Sequence, residues 1–180
     1  MILALVRGGL PVAVYGPGWE KAEHKKELHP SVRFRPLNRQ EYLLATKSAK
    51  IGLGIVSEWN GNQSAGRSFE IPACGTFLLA MRTPQHQHFY EEGKEAEFFG
   101  DSQELVEKAR FYLNNDALRQ EIARRGRQRC VQSRYSWADQ MKRDWATVLK
   151  QIENKFSGTL PLERPAIEPP QEQIPQQNML

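Results

Sequence analysis

The sequence predicts an α/β fold in which a parallel sheet carries helices on both faces. Between residues 11 and 99, short apolar runs rich in β-branched residues alternate with stretches of helical periodicity. From Ser102 to about residue 155 the periodicity is helical. Strands separated by helices form right-handed parallel crossovers. We therefore expect a Rossmann-like, three-layer parallel sheet followed by a helical C-terminus.

The strands are predicted from apolar runs that end at Gly, Pro or polar residues. They cover residues 11–15, 32–36, 51–56, 77–81 and 96–99. Helices are predicted between them at 20–28, 39–49 and 67–74, with Asn38 capping the second and Gly75 ending the third. Because parallel sheets bind ligands at the carboxyl ends of their strands, the loops that follow the strands are the places to search for a site.

Three apolar stripes at helical spacing mark the C-terminal helices, and we expect them to be core contacts. They are Leu105, Ala109, Tyr112 and Leu113; Leu118, Ile122, Ala123 and Gly126; and Trp137, Met141, Trp145, Val148 and Ile152. The third stripe is expected to be exposed, and to favour self-association, where a partner domain is absent. Pro, Gln and Glu dominate the end of the chain, so residues 156–180 are predicted to form a disordered tail and residues 1–155 the domain.

Composition narrows the function classes. A chain of 180 residues fits one domain, and a net charge of +4 is common among enzymes that bind phosphorylated substrates. The arginines between residues 110 and 143 alternate with apolar residues and lack a base-stacking platform, which predicts a solvated helix face and no nucleic-acid partner. Cys74 and Cys130 are predicted to be buried thiols in a reducing compartment. Residues 1–6 are too short an apolar run for a signal peptide or membrane span, which favours a cytoplasmic protein.

The segment from Arg67 to Leu79 carries the most chemical information. A loop, a short helix, a glycine and an apolar strand follow one another, which places Arg67 and Glu70 near a helix start where anions are stabilised. This pattern predicts a diphosphate site, beside which a carboxylate would accept two hydrogen bonds from a ribose diol. The alternative is that the two residues only cap the helix and form an exposed ion pair.

Five motifs carry a family resemblance: RSFEIPACG at 67–75, RTP at 82–84, FYEEGKEAEFF at 89–99, RxxIAxxGxxRC at 119–130 and SRYSW at 133–137. With PVAVYGPGW at 11–19, the stretch from about residue 10 to 150 resembles the C-terminal half of CgeB-like GT-B glycosyltransferases. The resemblance implies that this domain holds a nucleotide sugar. By matching motif positions, Glu70 resembles the ribose-binding residue and Arg67 a phosphate contact. Gly16 and Trp19 lie in the loop that covers the donor in that family.

Some residues leave alternatives open. His86 could contact a phosphate or be a surface histidine. Gly16-Pro17-Gly18 begins like a dinucleotide fingerprint, but Lys21 replaces its third glycine, which argues against NAD. Glu95 and Glu97 are interpreted as strand-edge and helix-cap residues. Asp-x-Asp does not occur and the histidines lack metal-ligand spacing, so we expect neither a metal nor a cofactor.

Two departures from the family pattern concern the donor sugar. Asn62 stands where many related enzymes carry a second acidic residue, and Met81 stands where the family often has Glu. We expect transfer of a sugar from a nucleotide-sugar donor to an unknown acceptor, with no catalytic residue assigned. The acceptor-binding N-terminal domain is expected to be missing from this chain, as from a truncated gene product. The alternative is a stand-alone nucleotide-binding or regulatory subunit, which a stop codon upstream of Met1 would favour.

Overall fold

The computed structural model describes residues 1–28, 32–33, 35–57 and 61–155. The predicted tail at 156–180 therefore lies outside the described residues, as do parts of the second predicted strand and of the loop at 57–66. The elements are α1 (Ile2–Arg7), β1 (Val14–Tyr15), a 3₁₀ helix (Trp19–Lys21), α2 (Lys25–Leu28), β2 (Val32–Arg33), α3 (Arg39–Ser48), β3 (Ile51–Gly54), α4 (Arg67–Ala73), β4 (Phe77–Met81), α5 (Pro84–Phe89), β5 (Glu97–Phe99), α6 (Ser102–Asn114), α7 (Asp116–Gln132) and α8 (Trp137–Lys155).

The strands form parallel sheets, as the alternating pattern predicts. β1 pairs with β2, and β3, β4 and β5 form a second sheet in that order, with Leu53 opposite Leu79 and Leu79 opposite Glu97. Within the described residues the strands thus lie in two sheets rather than one. β1 is shorter than predicted because its parallel pairing is limited to Val14 and Tyr15.

Strand β4 divides the core into two layers because successive side chains of a strand point to opposite faces. Phe77 and Leu79 face one cluster, whose other members come from α1, β5, α6 and α7. Leu78 and Ala80 face the second, together with Ile71 of α4 and residues of β5 and α7. Helical residues therefore cover both faces of this sheet, as expected for a three-layer α/β fold.

Local sequence signals determine where α3 begins and where α4 ends. Asn38 accepts a hydrogen bond from the Glu41 N–H, and the Glu41 side chain accepts one from the Asn38 N–H, which completes a capping box. At the end of α4, Gly75 has a φ of +78° and the N–H of Thr76 donates to the Ile71 carbonyl. This left-handed ending is the reason that a glycine follows the helix.

The predicted helix at 20–28 is interrupted. Ala22 has an extended backbone, with φ −66° and ψ 138°, and separates the 3₁₀ helix from α2. The first of these elements is only three residues long and the second four. Short helices are stabilised by their surroundings rather than by intrinsic propensity, so a continuous pattern does not guarantee a continuous helix.

Several burial predictions need correction. Leu118 is 43% exposed, so it does not join the core contacts of Ile122 and Ala123. Cys130 is buried as predicted, but Cys74 is only partly buried because it lies at the end of α4. Arg119, assigned to the solvated face, is buried and donates to the Tyr112 carbonyl at 3.1 Å.

Helix α8 belongs mostly to a separate compact unit that begins at Met141. Its apolar stripe is exposed: Trp137 is 77% exposed and Trp145 61%. The prediction of core contacts is therefore wrong for this stripe. None of the described helices combines the length and the hydropathy needed to cross a membrane.

Candidate functional site

The candidate site is formed where α3 and α4 begin. α3 follows β2 and α4 follows β3, so both helices start beyond the carboxyl ends of parallel strands. Glu70 accepts a hydrogen bond from the Tyr42 hydroxyl at 2.7 Å. The Nε of Arg67 lies 3.8 Å from the same carboxylate oxygen, Oε2. The structure thus brings together the two residues singled out from the sequence and adds Tyr42 to them.

This cluster is open to solvent on one side. The side chains of Arg67 and Glu70 are 59% and 46% exposed, and the Arg67 guanidinium carbon lies 5.1 Å from the centre of the Tyr42 ring. Burial, followed by the hydrogen bond to Glu70, raises the pKa of the Tyr42 hydroxyl. The phenol therefore remains protonated near neutral pH and donates to the carboxylate. An exposed carboxylate and guanidinium at this edge are suited to binding a polyol and an anion, respectively.

A buried hydrogen-bond chain lies behind the cluster. Ser68, the second residue of α4, and His86 of α5 are both fully buried, and Ser68 Oγ is 2.7 Å from His86 Nε2. His86 Nδ1 is 2.6 Å from the Met81 carbonyl. Since a carbonyl only accepts, Nδ1 carries the proton, and Nε2 of the neutral ring accepts from Ser68. Ser68 Oγ in turn accepts from the Ala65 N–H at 3.1 Å. This chain fixes the first turn of α4.

His86 therefore does not have the role of a surface histidine. Its side chain is fully buried, and burial lowers its pKa. Both ring nitrogens bond inside the protein, so the ring supports α4 from behind and presents no exposed atom to a phosphate. Thr83-Pro84 in the sequence is a signal for the start of α5, which Thr83 caps by accepting a hydrogen bond from the His86 N–H at 3.1 Å. That signal does not predict that the His86 ring is buried.

The loop before α4 is tied to α5 as well. Thr83 Oγ1 donates to the Gln63 carbonyl at 2.6 Å, and Ser64 Oγ donates to Gln85 Oε1 at 2.6 Å. Residues 61–66 lie on the polar, glycine-rich loop that the sequence placed between the third strand and this helix. The bonds to α5 hold the part of the loop nearest to Arg67.

Gly16 and Trp19 lie in a separate turn. The Gly16 N–H donates to the Arg33 carbonyl of β2 at 3.1 Å, and the Gly18 N–H donates to the Glu20 carboxylate at 2.9 Å. Gly16 and Gly18 have φ values of +133° and +93°, conformations that favour glycine. These contacts are within the small β1–β2 sheet and its turn. They leave the predicted approach of Gly16 and Trp19 to the donor as a prediction.

A second charged cluster was not predicted from the sequence. Glu97, interpreted as an edge residue, is only 6% exposed, and it accepts from Lys108 Nζ at 2.8 Å and from the Tyr112 hydroxyl at 2.5 Å. Arg82 lies between Glu92 and Glu104, at 2.6 and 2.8 Å. Hydrogen bonds from Arg82 hold the pKa of both carboxyls below the usual range. These opposite charges satisfy one another, so the cluster links β5 to α6 rather than forming an open site.

No candidate metal centre emerges from the described residues. None of them form a group of three or more His, Cys, Asp or Glu side chains positioned to hold an ion. The two cysteines in this part of the chain are free thiols, and burial raises the pKa of the Cys130 thiol. At the candidate site the described side chains of Tyr42, Arg67 and Glu70 offer hydrogen-bonding groups and charges.

The fold matches that of GT-B glycosyltransferases of known structure. HepE from Anabaena, solved in complex with UDP and glucose, superposes with a TM-score of 0.62 at 17% sequence identity. Sucrose-phosphate synthase from Thermosynechococcus elongatus gives a TM-score of 0.60 at 18% identity. Each comparison covers 83% of this chain but only 44% and 42% of the other, so the chain spans less than half the length of either protein.

The sequence shows the family. The model of the glycosyl transferase-like family matches residues 1–143, and the chain belongs to that family. The match includes α4, with Arg67 and Glu70, and the buried Ser68–His86 pair behind it. A comparison with curated proteins gave no match.

Proposed function

We propose that this chain is the nucleotide-sugar-binding, C-terminal half of a GT-B glycosyltransferase of the CgeB-like type. In the complete enzyme it would hold the donor while a sugar, of the hexosyl class, is transferred to an acceptor. Glu70 binds the ribose hydroxyls and Arg67 contacts the diphosphate. The observation that carries the proposal is the side-by-side exposure of Arg67 and Glu70 at the start of α4, beyond the carboxyl end of β3.

Three further observations support the proposal. The chain belongs to a glycosyl transferase-like family, and HepE, which shares its fold, was solved with UDP and glucose. The chain corresponds to less than half of the proteins that it superposes on, which supports assigning it one of the two functions of a transferase, donor binding. The acceptor site then belongs to another domain, so this chain by itself binds donor without completing transfer.

The proposed leaving-group chemistry needs no metal. A diphosphate departs with growing negative charge, and a fixed cation beside it stabilises the transition state by the same physics as an oxyanion hole. Arg67 supplies that charge.

We place the reaction in the cytoplasm because both described cysteines are free thiols. Gly16 and Trp19 complete the proposed site by covering the donor from the β1–β2 turn.

A thermal-shift panel tests the proposal. UDP, GDP, TDP and their sugars would be added to the wild type, to Glu70→Ala and to Glu107→Ala, which removes an exposed carboxylate from α6 as a matched control. A ligand present at 100 times its Kd adds roughly 2.7 kcal/mol to the free energy of unfolding, a shift of several degrees. We expect one nucleotide class to stabilise the wild type and the Glu107 variant but not the Glu70 variant. Absence of any shift, or an equal shift in all three proteins, would refute donor binding at this site.

A further inference from the structure

The Glu70 carboxylate is held from a different helix. Tyr42 is the fourth residue of α3, and its hydroxyl donates to Glu70 Oε2 across a sequence separation of 28 residues. The Arg67 guanidinium lies over the same Tyr42 ring at 5.1 Å. A single aromatic side chain thus contacts both residues to which the proposed function assigns donor binding.

The hydrogen bond from Tyr42 leaves the carboxylate able to bind a ligand. An ionised carboxylate has about four acceptor positions on its two oxygens, and a phenol uses one of them. Two hydroxyls of a ribose can therefore bond beside the phenol. What the phenol changes is the freedom of the Glu70 side chain, which is 46% exposed and would otherwise have to be ordered when a ligand binds.

We propose that Tyr42 is a positioning residue of the donor site. Its hydroxyl orients the Glu70 carboxylate so that the carboxylate accepts a hydrogen bond from each of the two ribose hydroxyls. Tyr42 is then a determinant of selectivity for ribonucleotides over 2′-deoxyribonucleotides. This inference rests on the proposed function, since it concerns the same site. The raised pKa of the Tyr42 phenol keeps its proton available for the bond near neutral pH.

Selectivity for ribonucleotides follows from the two hydrogen bonds that the Glu70 carboxylate accepts from the ribose. A carboxylate held in one orientation gains a second hydrogen bond from a ribose that a 2′-deoxyribose cannot supply. A carboxylate that rotates freely reaches one hydroxyl as easily as two, so the second bond adds less. Loss of the Tyr42 hydroxyl therefore weakens the ribonucleotide more than the deoxyribonucleotide.

Calorimetric titration of Tyr42→Phe with UDP and 2′-deoxy-UDP tests the inference, with GDP and 2′-deoxy-GDP as the pair if guanine is the preferred base. Phe keeps the ring under Arg67 and removes only the hydroxyl. We expect UDP to bind about three- to ten-fold more weakly, the range set by the net contribution of one typical hydrogen bond, while 2′-deoxy-UDP changes less. The affinity for UDP divided by the affinity for 2′-deoxy-UDP should fall toward the value of the same ratio in Glu70→Ala.

Two controls make the result specific. Ser48→Ala removes a hydroxyl from the same helix that bonds to the Ala45 carbonyl, and it should leave the ratio at the wild-type value. Because both ligands are titrated into one preparation, a partly unfolded sample affects both alike and leaves the ratio unchanged.

The outcomes separate this inference from the proposed function. A wild-type ratio in Tyr42→Phe, with selectivity lost in Glu70→Ala, would overturn the role of Tyr42 and leave donor binding standing. Failure of the wild type to bind any of these nucleotides would overturn both.

Discussion

Ser68 of α4 and His86 of α5 share a fully buried hydrogen bond of 2.7 Å. The bond connects the candidate site to the interior, because Ser68 follows Arg67 directly and its hydroxyl also accepts from the Ala65 N–H ahead of the helix. The exposed face of α4 thus carries Arg67 and Glu70, while its buried face is fixed by a neutral histidine. The stability of this arrangement depends on the protonation state of His86.

The pKa of His86 predicts a pH dependence of stability. Burial lowers this pKa below its ordinary value of 6.5. Above pH 6.5 the ring is neutral in both the folded and the unfolded chain. As the pH falls through 6.5, the unfolded chain takes up a proton that the folded chain does not, so the free energy of unfolding decreases. Urea unfolding at pH 7.5 and pH 5.5 should show this loss.

Two histidine variants test whether His86 causes this pH dependence of stability. His86→Phe retains a ring beside Phe98, against which His86 stacks at 5.9 Å, and it should show a smaller difference between the two pH values. His88→Gln alters an exposed histidine on the same helix and should retain the full difference. An identical pH dependence in the wild type and His86→Phe would show that other groups are responsible.

Gly126→Ala is expected to destabilise the protein by about 1–3 kcal/mol. A Cβ at this position would lie 2.3 Å from the backbone carbonyl oxygen of Glu95, and backbone cannot move aside as a flexible side chain can. The clash outweighs the gain of about 1 kcal/mol in helix propensity. Chemical denaturation measures the change, with the exposed Gln128→Ala as the control on the same helix. A variant as stable as the wild type would mean that α7 can move away from the Glu95 segment.

Glu97→Ala should lower the free energy of unfolding by about 1–3 kcal/mol, the cost of leaving a buried polar group unsatisfied. The substitution leaves the Tyr112 hydroxyl without its acceptor and removes one partner of Lys108, which keeps Glu92, Glu104 and the Phe98 carbonyl. Glu107→Ala, on the exposed face of α6, is expected to change stability by less than about 0.5 kcal/mol. Equal midpoints for the two variants in denaturant titration would contradict the structural role of Glu97.

The exposed stripe of α8 predicts concentration-dependent self-association of this chain. Trp137, Met141 and Trp145 are each more than 60% exposed, and contiguous apolar surface of this kind favours association. Sedimentation velocity over a range of concentrations should reveal species larger than the monomer. Trp145→Glu should reduce them, whereas the polar exchange Lys150→Glu should not. A monodisperse monomer at high concentration would contradict the prediction.

The sequence was most informative where the determining contacts are local. The capping box at Asn38 and the glycine ending at Gly75 each depend on neighbours within a few residues. The alternation of strands and helices was predicted for the same reason, since each element has its own period. The motif containing Arg67 and Glu70 placed both residues on one short helix, three positions apart, which the structure confirms.

Other features required contacts that no local period encodes. Glu97 was assigned to an edge because charges often flank strands, but the structure places Lys108 and Tyr112 of α6 beside it. Arg119 was expected on the solvated face and is buried, whereas Leu118 was expected in the core and is exposed. The orientation of α7 against the sheet decides which of its faces is covered. The apolar stripe of α8 has helical spacing whether or not anything covers it.

By itself, the sequence determined the α/β class, the alternation of strands and helices as far as β4, and the placement of Arg67 and Glu70 on one helix, because backbone periodicity and caps act over a few residues. It did not predict α5, between β4 and β5. The tertiary structure alone decided that Tyr42 holds Glu70 and that His86 lies inside the protein behind Ser68. These pairs are 28 and 18 residues apart. Ser68 and His86 meet because β3 and β4 pair in parallel and bring α4 and α5, the helices that follow them, to one edge of the sheet. Tyr42 reaches Glu70 from α3, the helix that follows β2.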